Sequence, residues 1–314
     1  MCSAVAVPAP DVDDQLREFH AVCKRDLVSL SGLSGSPFGR RLLEFGFQAQ
    51  VRQFAVNLAA YNEQLASDGL AAASLELCAR YHGRVEAEGL ENIPQSGPLL
   101  LVSNHPGMFD TLAIFSTLPR ADIRALARPQ PLLGLLAGLA PNLLMLPDEG
   151  PGRAGSLRQV LQSLRADGAL LVFPAGHLEP EPMLIGRHSQ SPVGTEPLGP
   201  WSSGVGTLVK LAVRQGVPLR VIPMSISGVL STSTWRWFRP ILQLRKTLRG
   251  REDMTAVLQV AFPQLGPTTI RARYGAPLDA ASLADDDADA DAITARIKAA
   301  VRAQVSETLA ANAR

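Results

Sequence analysis

The stretch PLLLVSNHPGMFDTLAIF, residues 98–115, sets a histidine and an aspartate five positions apart, His105 and Asp110, behind an apolar run. The run reads as a buried strand. Pro106, directly after His105, forces the histidine into an extended conformation and itself suits the first position of a helix, so His105 is expected at a strand-to-helix turn. On one continuous helix, residues five apart diverge by roughly 140°, but a histidine just outside the first turn can be met by a carboxylate one turn inside it. Asp110 has that position. A carboxylate accepting from Nδ1–H fixes the imidazole tautomer, leaves Nε2 to take a proton and stabilises the imidazolium that forms, which is the equipment of a general base. An isolated His with an Asp five residues on is ordinarily a capping histidine beside an unrelated aspartate. Here the strand, the proline turn and the segments downstream favour the pair.

Those side chains need a scaffold, and the hydrophobic pattern supplies an α/β one. Residues 13 to about 82 read helical, with Leu42, Leu43, Phe45, Phe47, Val51, Phe54, Val56 and Leu58 at mixed three-to-four spacing, broken at SGLSGSPFG, residues 31–39. Beyond residue 84 short apolar runs alternate with helical segments. Strands are expected at 85–87, 99–103, 124–127, 143–146, 169–173, 219–225, 257–262 and 270–274, with helices beginning near Pro106, Arg153 and Gly204. The expectation is a sheet with crossover helices, preceded by an N-terminal helical region. A last helix over 290–309 follows ADDDADAD, whose aspartates suit the positive end of a helix dipole. The expected divisions are a helical region at 1–83, an α/β domain at 84–280 and a C-terminal helix at 281–314 packing on it.

At these residues the sequence resembles the glycerolipid acyltransferase family typified by lysophosphatidic acid acyltransferase. The family's first motif, Asn-His, four residues, then Asp, is matched by Asn104, His105 and Asp110, and RVEAEGLENIPQSGPLLLVSNH resembles its usual approach. LLVFPAGHLEPEP is similar to the Phe-Pro-Glu-Gly motif at Phe173, Pro174 and Gly176. PWSSGVGTLVKLAVRQGVPLRVIPMSISG and IRARYGAPLDA resemble the later helix and strands, so the likeness runs in order from about residue 84 to 280. The resemblance implies a glycerolipid acyltransferase-like fold, with substrate contacts at Asn104 and around the Phe173 turn. It implies that His105 deprotonates an acceptor hydroxyl attacking the thioester of acyl-CoA or acyl-carrier protein, that Asp110 orients it, and that no covalent enzyme intermediate or cofactor takes part. The oxyanion is expected to meet backbone N–H groups of residues 173–176.

Two departures bear on the acceptor. Ala175 stands where the family has glutamate, leaving Glu179 or Glu181 to reach the same space. The arginine closing the family's second motif is absent from LLMLPDEGPGR. Arg153, five to six residues late, either replaces it or is a surface residue in a helix's first turn, and the sequence leaves both open. Both changes fall on acceptor recognition and spare His105 and Asp110, implying acyl transfer to an altered acceptor.

Other chemistries fit less well. No G-x-S-x-G occurs, Cys2, Cys23 and Cys78 carry no catalytic or metal-ligand signature, and His20, His82, His105, His177 and His188 form no H-E-x-x-H pair, so no metal is expected. Lys and Arg number 30 against 29 Asp and Glu, which lacks the basic excess of a nucleic-acid surface. The apolar stretch 131–147 is interrupted by Gly134, Gly138, Pro141 and Asn142, short of the roughly 20 residues of a spanning helix. The N-terminus has no basic start and no secretory apolar run, an expectation of a cytoplasmic protein. An amphiphilic acceptor calls for membrane contact, and STSTWRWFRPILQLRKTLRGR, residues 231–251, interleaves Trp235, Trp237, Phe238, Ile241 and Leu242 with six basic residues and no acid. It reads either as an interfacial helix on anionic lipid or as a helix packed on the protein. The resulting expectation is a peripheral, monotopic acyltransferase on the inner membrane face, esterifying a lysophospholipid-type acceptor. The alternatives are a non-phosphate hydroxyl or amine acceptor, or a non-catalytic lipid-binding protein of the same fold.

Overall fold

The computed structural model describes residues 12–31, 41, 45–147, 152–185, 196–243, 247–285 and 288–312. Their strands are β1 (Gly83–Glu88), β2 (Leu99–Ser103), β3 (Ile123–Ala127), β4 (Leu143–Met145), β5 (Ala169–Val172), β6 (Arg220–Ser227), β7 (Thr268–Tyr274) and β8 (Leu278–Asp279). The helices of eight residues or more are α1 (Val12–Ser31), α2 (Gln48–Ser67), α3 (Gly69–Tyr81), α4 (Asp110–Thr117), α5 (Gly152–Arg165), α6 (Gly204–Arg214), α7 (Leu248–Ala261) and α8 (Ala290–Asn312).

The strands lie in the order β1-β7-β6-β2-β5-β3-β4, with β8 beside β6. β6, β2, β5, β3 and β4 are mutually parallel; β7 and β8 run antiparallel to β6, and β1 is parallel to β7. Every residue of β2 and β5 is buried, as expected for parallel strands covered on both faces. Alternation along them divides two cores. Leu99, Leu101 and Leu171 face α2, α3 and α4, whereas Leu100, Val102 and Leu170 face α5, α6 and α8. α8 is seated by Ile293, Ile297, Val301 and Val305, a one-face stripe with no exposure at any of the four. Fully burying each such side chain contributes roughly 1.5–3 kcal/mol. Parallel pairing brings the C-terminal ends of β2, β3, β5 and β6 to one edge of the sheet, where open α/β sheets bind ligands.

Residues 257–262, expected as a strand, are helical through Ala261, in α7. Met254, Val257 and Leu258 are buried at three- and four-residue spacing, and the Thr247 side chain caps the helix by accepting the Gly250 N–H at 3.1 Å. A short apolar run alone does not separate the two elements. The helix expected near Pro106 begins instead at Asp110, after a turn over 106–109. The single interfacial helix expected over 231–251 is two short helices, Thr232–Trp237 and Arg239–Leu242, followed by the start of α7. Trp235 and Leu242 are buried within it, packing with Leu184, Leu230 and Met254, while Trp237 is 71% and Ile241 46% exposed. Arg245 and Lys246 lie outside the described residues, as does the break at 32–39. Among the described residues no helix is long and apolar enough to cross a membrane.

Candidate active site

His105 leaves the end of β2, and the 106–109 turn returns the chain so that Asp110, first residue of α4, meets it. Nδ1 of His105 lies 2.6 Å from Oδ2 of Asp110. Asp110 is fully buried and His105 is 23% exposed, so the carboxylate is hidden and the imidazole reaches the surface. The same carboxylate accepts from the Gly107 N–H at 3.3 Å, the Thr111 N–H at 2.6 Å and the Thr111 hydroxyl at 3.2 Å. It therefore satisfies the loose donors of the helix start while orienting the ring, and explains why the helix begins here. Burial opposes a charged imidazole, but the Asp110 charge and hydrogen bond outweigh it, with help from Glu179 and against a smaller effect of Arg249. The net result holds His105 above the usual histidine range.

Phe173, just beyond β5, stacks on the imidazole with ring centroids 4.3 Å apart and planes 21° from parallel. The turn that follows is tight: Gly176 donates its N–H to the Phe173 carbonyl at 3.0 Å and adopts φ +66°, where a side chain would be strained. That N–H is already engaged and Pro174 has none, which removes two of the donors expected for an oxyanion.

Asn104 is buried. Its amide nitrogen donates to the Ile226 carbonyl at 2.9 Å and its oxygen accepts the Ile226 N–H at 2.8 Å, so it ties β2 to β6 through both ends of the side chain. Glu179, 2% exposed, lies beside His105 with both oxygens engaged inside the protein. One accepts the His105 N–H at 3.1 Å, and the other accepts Gly199 N–H at 2.8 Å and Trp201 Nε1–H at 2.9 Å. The substrate contacts expected of Asn104 and Glu179 thus meet side chains whose polar atoms are bonded internally. Arg153 lies in the first turn of α5, and its side chain is outside the described residues, as is His188.

Glu181, fully buried, accepts N–H groups from Met183, Gly228, Val229 and Leu230 at 2.8–3.1 Å. It shapes the turn after β6, where the Val229 side chain packs on the 106–109 turn: a Cβ added at Gly107 would stand 2.7 Å from Val229 Cγ1. His82, pushed down to about 4 by burial, approaches the Val229 carbonyl through Nε2 at 3.0 Å.

Two cations stand near the site that the sequence did not assign to it: Arg128 was not singled out, and Arg249 counted only among the basic residues of 231–251. Arg128 follows β3, and its Nη2 stands 3.1 Å from where a side chain at Gly176 would begin. A cation one residue past a strand of this parallel set is a readable signal once the strand order is known. Arg249, in the first turn of α7, donates Nη1–H to the Leu178 carbonyl at 3.0 Å, one residue from Glu179. Among the described residues no group of three or more His, Cys, Asp and Glu is arranged to hold a metal.

Residues 84–227, which carry the His105–Asp110 pair and the Phe173 turn, match the family model described as Acyltransferase. These residues are similar to the acyltransferase family. Beyond the family match, the chain is 34% identical over 107 residues to a lyso-glycine lipid O-acyltransferase of Phocaeicola vulgatus, covering 32% of this chain and 38% of that protein. It is 33% identical over 112 residues to a lyso-glycine lipid O-acyltransferase of Bacteroides thetaiotaomicron, covering 35% of this chain and 41% of that protein. The matched part thus spans about two-fifths of the length of those relatives. The crystal structure of the 1-acyl-sn-glycerophosphate (LPA) acyltransferase PlsC from Thermotoga maritima aligns over 93% of this chain and 97% of that one, at a TM-score of 0.45 and 16% identity. Within the matched residues, Ala175 and Gly176 occupy the turn that Arg128 approaches.

Proposed function

We propose that the protein transfers a fatty acyl group from an acyl thioester, acyl-CoA or acyl-carrier protein, to a hydroxyl of a lyso-lipid. The observation that carries this reading is the hidden Asp110 set 2.6 Å from Nδ1 of a surface-reaching His105. With Nδ1 engaged, Nε2 is the basic nitrogen. It takes the proton of the acceptor hydroxyl as that oxygen attacks the thioester carbonyl. The tetrahedral intermediate collapses with cleavage of the C–S bond, and the proton passes from the imidazolium to the departing sulfur. Asp110 stabilises the imidazolium between the two transfers, and Phe173 holds the ring plane. No metal or cofactor enters these steps.

The Arg128 guanidinium at the Gly176 turn is our candidate for meeting an anionic headgroup, a role for which Arg153 was one of two readings in the sequence. A second reading, a non-phosphate acceptor, is favoured by Ala175 in place of the family's glutamate and by the lyso-glycine lipid in the relatives' names. We assign membrane contact to the exposed Trp237 and Ile241 beside Arg236 and Arg239, on a peripheral protein at the inner membrane face.

The test is free-thiol release from acyl-CoA with lysophosphatidate and a lyso-glycine lipid offered separately. Turnover abolished by His105→Ala supports the reading, and turnover with the glycine lipid alone selects the second acceptor class. Binding without turnover across the acceptors would overturn it in favour of a non-catalytic lipid binder.

A further inference from the structure

Glu179 grips His105 by its main chain from both directions. Its own N–H donates to the His105 carbonyl at 2.7 Å while its carboxylate accepts the His105 N–H at 3.1 Å, so the histidine peptide groups are closed into a two-way bracket. The carboxylate's other oxygen is held by Gly199 N–H and Trp201 Nε1–H. All three partners donate, which is the bonding pattern of a carboxylate. That segment is anchored in turn by Lys298 of α8, whose Nζ donates to the Gly199 carbonyl at 2.6 Å and lies 5.8 Å from the Trp201 ring centroid. A buried acid to which, among the described residues, no lysine or arginine is bonded can fix a main chain and lend its charge to the imidazole beside it.

We propose that Glu179 is a positioning residue for His105, holding its main chain from both sides and setting a second negative charge beside the imidazole that Asp110 orients. This rests on His105 being the base. The charged groups acting on that imidazole are Asp110 from α4, Glu179 from the loop after β5 and Arg249 from α7. The first two favour the imidazolium and the third opposes it.

Glu179→Gln keeps the shape, removes the charge and turns one accepting end into a donor facing other donors. The expected result is a fall in kcat of roughly 10-fold to 100-fold with KM for acyl-CoA little changed, from loss of charge-assisted bonds to the base. The imidazole of His105, followed by NMR in protein labelled at histidine and assigned with His105→Ala, should titrate at lower pH than in the parent. Glu179→Asp, which keeps the charge on a shorter arm, should restore the titration toward the parent even where kcat stays low. A purely structural role would lower the melting temperature but leave the titration in place, and that result overturns the proposal, as does an unchanged kcat in Glu179→Gln. Failure of the general-base reading is seen separately, as acyl transfer that survives His105→Ala, because the titration needs no turnover.

Discussion

Replacing Asp110 by Asn tests the proposed base most directly, because it removes one charge from a fully buried position while changing almost no volume. Unit charges about 4 Å apart interact by about 4 kcal/mol at an effective dielectric of 20, which corresponds to roughly 10³ in rate. The bonding at Asp110 then decides how much is recovered. Thr111 presents two donors to one oxygen, at 2.6 and 3.2 Å, and they will keep the amide oxygen on their side. The amide nitrogen then faces Nδ1 and donates to it, which moves the imidazole proton to Nε2 and blocks the basic nitrogen. The expectation is a kcat lowered by roughly 10² to 10³ or more, with acyl-CoA binding retained. The pH profile adds a sign. In the parent His105 is held above 6.5 because the carboxylates outweigh burial, so the acid limb of kcat/KM should fall above that value. Without Asp110, burial is opposed only by Glu179 and the limb moves to lower pH. Thiol release at saturating donor and acceptor from pH 5.5 to 9, beside a melting curve at each pH, measures both effects. A variant that melts like the parent yet keeps more than a tenth of its kcat, or whose acid limb does not move, would refute the general-base reasoning.

Gly107→Ala should cost roughly 1–3 kcal/mol of stability, as overpacking against Val229 displaces the 106–109 turn. Val229→Ala in the same chain should recover most of both stability and activity, and a double variant no better than Gly107→Ala would show that the contact is not the cause. Burial raises Glu252 to about 8, so the folded chain holds that proton more tightly than the unfolded one. Stability is then fully present below about pH 4.5 and lost as pH rises through 8, on the order of 5 kcal/mol in all. Glu252→Gln, which can still accept the Glu181 N–H that Glu252 now accepts at 3.0 Å, should flatten the fall in melting temperature between pH 6 and 9, and an identical fall in both proteins refutes the assignment. Changing Trp237 and Ile241 to Ser should reduce co-sedimentation with anionic liposomes without lowering the melting temperature, and unchanged sedimentation removes this edge as the membrane contact.

The parts legible in the sequence were those encoded by neighbours. β2 and β5 are uninterrupted apolar runs, α8 carries its four-residue stripe openly, and the strand, the Pro106 turn and the segments downstream together favoured pairing His105 with Asp110. What stayed hidden depends on partners far along the chain. The strand expected at 257–262 is a helix because Met254, Val257 and Leu258 find Trp235 and Leu242 across a small core, and six residues of apolar sequence do not carry that information. Arg128 was passed over because its significance comes from β3 lying next to β5, which sets it beside the Phe173–Gly176 turn. Glu179 was read as an acceptor contact because Gly199, Trp201 and the His105 main chain, which engage both its oxygens, are not its neighbours in sequence.

The lysine at the far end of that clasp has a consequence for the order in which the protein is made. Chains emerge from the ribosome N-terminus first and begin folding as they appear, at about 5–20 residues per second. β2, α4 and the His105–Asp110 contact are local enough to form early, but Lys298 is among the last residues synthesised of those that brace the base. A nascent chain stopped short of α8 would carry the pair without the support that reaches Glu179 through Gly199. The proposed activity should therefore appear with the docking of α8 rather than with closure of the sheet, so that a chain unfinished on the ribosome holds His105 slack until the helix arrives.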